Sequence, residues 1–192
     1  MAECDVSKYG PVFAELIDAA ELPPLDGGTN HAASNPDVRA LTTDSAFPGS
    51  GLADREMAEA CVSGALLLYG DLDRSHRISQ GIDTPTGSFW HGIMHRREGD
   101  FRNAKHWFRR TGKHPAFEDV AKAAADTIDS AGGDSRFAKL RAGEDWDPFA
   151  FVDLSASEVG SGSEAESLCR EIQMAEWRVL FDYSYRRAIE RA

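Results

Sequence analysis

The sequence predicts an all-α protein, and three observations carry the prediction. Apolar residues recur at spacings of three and four through most of the chain. No convincing alternation of polar and apolar residues marks a strand. Helix punctuation repeats, with Asp or Pro opening segments and Gly closing them. At 192 residues the chain suits one domain with a sizeable core. The expected architecture is a compact bundle of about six to eight helices, built from antiparallel hairpins and completed by a long C-terminal helix.

The first helix falls on PVFAELIDAAE, residues 11–21, with Pro11 at its first position. Residues from about 22 to 52 are rich in Pro, Gly, Asn and Ser and read as a long irregular loop. Val38, Leu41 and Phe47 are its expected anchors. A helix over about 54–69 follows, with Met57, Cys61, Ala65 and Leu68 on one face and Gly70 as its stop. Asp71 is the N-cap candidate of the next helix, DLDRSHRISQ. GIDTPTGS is a break. Helical residues then run over about 85–97, stop near Gly99, resume after Asp100 and end at Gly112. The next helix has Pro115 in its first turn and Gly132 and Gly133 as its stop. SRFAKLRAG adds a short helix, and DWDPFAFVDLSASEVGSGS reads as mostly irregular, with one helical turn. The last helix spans 164–191, with Leu168, Ile172, Ala175, Val179 and Tyr183 as its buried stripe.

Composition excludes several functions. The formal net charge is −11, which argues against nucleic acid and against anionic lipid as partners. No apolar run approaches the ~20 residues a membrane helix needs. The opening MAECDVSKYGP lacks the basic and then apolar stretches of a signal peptide, so a cytoplasmic location is expected. The 21 basic residues are 16 Arg and 5 Lys, a balance associated with bacterial, GC-rich genomes. Cys4, Cys61 and Cys169 are odd in number and far apart, which fits neither a disulfide framework nor a zinc knuckle. The last two fall in apolar helical patterns and read as buried thiols.

Around TGSFWHGIMHRREGDFRNAKHWFRR the chain resembles the tetratricopeptide repeat. Gly99 stands at the inter-helix turn, Gly92 at the small position seven residues earlier, and Phe101, Ala104 and Phe108 on the second helix. ALLLYGDLDRSHRISQ has a similar turn at Gly70, with Leu72 and Ser75 in the corresponding places. The likeness covers roughly 50 residues, and its turns are 29 apart where the repeat has 34. It implies helical hairpins and a binding scaffold. The chain is also similar to a group of uncharacterised bacterial helical proteins with a Trp-His-Gly stretch, which implies nothing about chemistry.

Two functions follow as expectations. The first is a helical scaffold that holds a peptide, a partner protein or a small anionic ligand against Trp90, Ile93, Arg96 and Arg97. No cofactor is expected in that case. The second is a metal-dependent small-molecule enzyme, a hydrolase by preference. His91 and His95 are four apart and share a helix face, one turn apart. Glu98 extends that side, and His76 can approach from the preceding helix. Such a set suits zinc, or iron or manganese, with a position open for water. The alternative for the same histidines is a structural role, with neutral imidazoles satisfied by Glu98, Asp100 or Glu176. Arg96, Arg97, Arg102, Arg109 and Arg110 form either an anion pocket or a set of ion pairs with the acidic surplus. Ser88, three before His91, lacks the strand–turn–helix elbow of a serine nucleophile.

Overall fold

Asp54, Asp71, Thr84, Asp100, Asp147 and Ser163 each accept the backbone N–H three residues on, and each opens a helix. These caps punctuate the computed structural model, which describes residues 5–49, 51–142 and 145–190. Cys4, Gly143 and Arg191, which the sequence reading touches, lie outside the described residues.

The helices, in chain order, are α1 (Gly10–Asp18), α2 (Pro36–Ala40), α3 (Thr43–Ala46), α4 (Arg55–Leu68), α5 (Leu72–Gly81), α6 (Pro85–Glu98), α7 (Phe101–Thr111), α8 (Phe117–Ser130), α9 (Ala138–Arg141), α10 (Pro148–Glu158) and α11 (Glu164–Ile189). No strand occurs among the described residues. The fold is all-α, and eight of these helices are nine residues or longer. None is long and apolar enough to cross a membrane.

Two hairpins organise the bundle. Gly70 joins α4 to α5, and Gly99 joins α6 to α7. Gly99 has φ 85°, the left-handed conformation in which its N–H and that of Asp100 satisfy the last carbonyls of α6. Gly92 faces the Phe108 ring so closely that a Cβ there would lie 2.9 Å from it. That approach brings α7 tight against α6. α4 is buried on nearly every side, with α5, α6 and α11 around it. α11 crosses the assembly; its Trp177 donates to the Gly64 carbonyl on α4, and its Ser184 accepts from Trp90 on α6.

The structure departs from the sequence reading at four places. Residues 22–52, expected as loop, contain a short 3₁₀ turn and the helices α2 and α3. Asn35 and Thr42 cap these two, and Pro36 fits the first position of α2, so turn-forming residues here start helices. Val38, Leu41 and Phe47 are buried. α8 begins at Phe117, because Pro115 precedes it. α10 runs eleven residues where the sequence predicts mostly irregular chain with one helical turn, since Asp147 caps and Pro148 takes the first position. In α11, Ala175, Val179 and Tyr183 are only half-buried; the inward stripe is Ile172, Gln173, Glu176, Trp177, Leu180, Phe181 and Ser184.

Candidate metal centre

α6 is buried over Thr86–Arg97, so its polar side chains have to find partners inside the protein. His91 and His95 stand one turn apart on it, and their Nε2 atoms are 2.9 Å apart. α5 lies alongside and contributes His76. Its ring centroid is 4.6 Å from that of His91 and 5.3 Å from that of His95. One nitrogen from each of the three histidines lies within 4.8 Å of the other two. His91 and His95 are buried, while His76 is half-buried and opens the cluster to solvent.

The outward nitrogens are held. Ser79 Oγ lies 2.8 Å from His91 Nδ1. That hydroxyl gives its one proton to the Ser75 carbonyl at 2.8 Å, so it accepts from His91 Nδ1–H. His91 Nε2 is then left with its lone pair. On the other ring, Glu98 Oε2 accepts from His95 Nδ1 at 3.0 Å, and Asn103 Nδ2 donates to His95 Nε2 at 3.0 Å. His95 Nε2 therefore also carries a lone pair, which the Asn103 amide occupies until a stronger acceptor of it arrives. Burial pulls the pKa of His91 down to about 3, and the neighbouring His95, His76 and Arg110 push it the same way. Burial also lowers the pKa of His95, against the pull of Glu98. Both rings are neutral near pH 7.

A tetrahedral ion with metal–nitrogen bonds of about 2.0–2.1 Å sets its ligand nitrogens about 3.3 Å apart. Separations of 2.9 Å and upward, within 4.8 Å, span that value. Trp107 closes one side, its ring 4.0 Å from that of His91, and Arg110 lies over the Trp107 ring.

Of the expected metal ligands, His76, His91 and His95 converge. Glu98 does not join them; it stands behind His95 and fixes that ring, because a carboxylate three residues on meets Nδ1. The residues of the expected ligand-binding face are mostly enclosed, with Arg97 reaching a cleft. Trp90, Ile93, Arg96 and Arg97 are all buried. Arg96 forms a fork with Glu176, and Trp146 Nε1 donates to the same carboxylate at 3.0 Å. Arg97 donates to the main-chain carbonyls of Asp26 and Leu67. The arginine cluster thus disperses: Arg96 faces α11, Arg110 pairs with Asp83, and Arg109 lies over Phe149. Ser79, Asn103 and Trp107 were not singled out as site residues from the sequence. Ser79 is three residues after His76, and Asn103 and Trp107 are four apart on α7. Those spacings place each beside a histidine once the hairpins form. No protein-family model, curated protein or solved structure matches the chain.

Proposed function

We propose that this chain is a metal-binding protein in which His76, His91 and His95 hold one divalent transition ion, with a further position left to water. The observation that carries this reading is the convergence of three imidazoles, with one nitrogen from each within 4.8 Å of the other two and two of the rings buried. Three nitrogen donors suit zinc and do not suit magnesium or calcium, which prefer oxygen. Ser79 and Glu98 supply the orienting bonds on the far nitrogens that metal-bound histidines need. Neutral imidazoles would leave a bound ion its full charge, and such an ion would supply an activated water for hydrolysis near neutral pH. The reaction class this supports is hydrolysis of a small molecule. The scaffold reading requires an open face on α6, and Trp90, Ile93 and Arg96 are packed in the core, so the histidines are the better-supported site.

The test is a calorimetric zinc titration of chelator-stripped protein. One ion should bind per chain. His76→Ala, at a half-buried position, should keep the helical circular dichroism while weakening binding by about 100-fold or more. Zinc-loaded protein should release p-nitrophenolate from p-nitrophenyl acetate faster than that variant does. Failure of the wild-type chain to take up zinc at micromolar concentration would end the proposal.

A further inference from the structure

A second site lies on another flank of α6. Arg97 is two residues after His95, which puts it about 200° around the helix from the metal centre. It lines a cleft of about 210 Å³. One wall is the irregular chain of residues 20–30. Arg170 holds that chain by the carbonyls of Leu22 and Pro23, Gln173 by that of Pro24, and Arg97 Nε by that of Asp26. The other wall is the end of α4 with Tyr69 and Gly70, whose neighbour His31 donates its N–H to the Tyr69 carbonyl.

The charge of Arg97 has no internal match. The side chain is 3% exposed, yet among the described residues no carboxylate forms an ion pair with it. Arg96, beside it in sequence, has its charge matched by the Glu176 carboxylate, although its Nε meets no partner. Burial and the Arg96 charge pull Arg97 down to about 10, a shift that the Asp26 charge only partly offsets. A guanidinium offers five N–H groups, and two here meet carbonyls, so donors remain for a ligand. The rest of the lining is largely apolar and includes Leu22, Pro23 and Leu68. Leu22 is one of two large hydrophobic side chains exposed among the described residues.

We propose that this cleft binds a small monocarboxylate with an apolar body, the carboxylate meeting Arg97 and the body lying along Leu22 and Pro23. A single uncompensated guanidinium, with the carboxylate of Glu21 also in the lining, matches a monoanion and not a phosphate dianion. The volume lies below the ~300–1,000 Å³ typical of drug-sized ligands, which limits the body to a short chain.

The test is a thermal-shift and calorimetric titration of the full chain with hexanoate. EDTA is present throughout, so that no carboxylate reaches a bound metal and the result stands apart from the zinc proposal. Hexanoate should bind saturably and raise Tm. The neutral 1-hexanol and inorganic phosphate should each bind about tenfold more weakly or worse. Because Arg97→Gln removes a buried anchor of the fold, Leu22→Asp at the rim is the decisive variant. It should keep its Tm without ligand and lose hexanoate binding by about tenfold or more. Unsaturable hexanoate, equal binding of hexanol or phosphate, or an unchanged Leu22→Asp variant would each overturn the assignment.

Discussion

Ser79 and Glu98 act on the metal centre through the histidines they touch. Each takes the far proton of one ring and turns the opposite nitrogen toward the common point. Removing such a partner costs metal affinity without removing a ligand. Ser79→Ala should therefore weaken zinc binding by about 10–100-fold, read by competition with a chromogenic chelator, while the helical spectrum stays unchanged. A wild-type affinity in that variant would show that the ring orientation is set by packing alone. The four-residue spacing of His91 and His95 was visible in the sequence because it is helical arithmetic. The role of Glu98 was not. At three residues from His95 a carboxylate can reach the ion or the ring behind it, and only the rotamer decides between them.

At the scale of elements, α6 is the helix that everything else answers. It presents His91 and His95 toward α5, Gly92 toward α7 and Arg96 toward α11. The Arg96–Glu176 fork is wholly buried, with Trp146 on the same carboxylate and Phe151 beneath the guanidinium at 4.4 Å. Breaking one side strands a charge in the core. Glu176→Ala should lower stability by about 3–5 kcal/mol, measured by urea denaturation. The Arg96→Met, Glu176→Leu pair should recover most of that loss. Equal losses in the single and double variants would mean that the ion pair itself contributes the stability. This pairing also explains why the stripe of α11 was misread. An apolar count favours Ala175, Val179 and Tyr183, but the charge on Arg96 draws Glu176 inward and rotates the buried face. α10 was missed for a related reason: Asp147–Pro148 looks like a break, and the same pair is a cap and first helical residue.

For the whole molecule, the hairpins were legible because Gly70, Gly99, Asp71 and Asp100 act locally. Which helix would lie against which was not, since that depends on matched notches and rings such as Gly92 and Phe108. The global response to acid follows from histidines kept neutral. His114 is buried, accepts the Ala116 N–H at Nδ1 and donates from Nε2 to Thr86 Oγ1. Burial, aided by the Arg187 charge, pulls it down to about 4. The folded chain therefore binds this proton less readily than the unfolded chain, whose histidine titrates near 6.5. The stabilisation is complete above about pH 6.5 and is lost as pH falls toward 4. His91 in metal-free protein acts in the same direction. Urea midpoints in EDTA should fall steadily from pH 7 to pH 4.5, by roughly 2–3 kcal/mol for His114. A flat profile over that range would contradict the neutral assignment.

The ring contact between Trp107 and His91 has an optical side. Of four indoles in the chain, Trp90, Trp146 and Trp177 sit in the core, whereas Trp107 touches a histidine of the cluster at 4.0 Å. A quencher seated among the three imidazoles, such as a paramagnetic cobalt or copper ion, would dim that one emitter first. The chain thus carries a native fluorophore where a label would otherwise have to be attached.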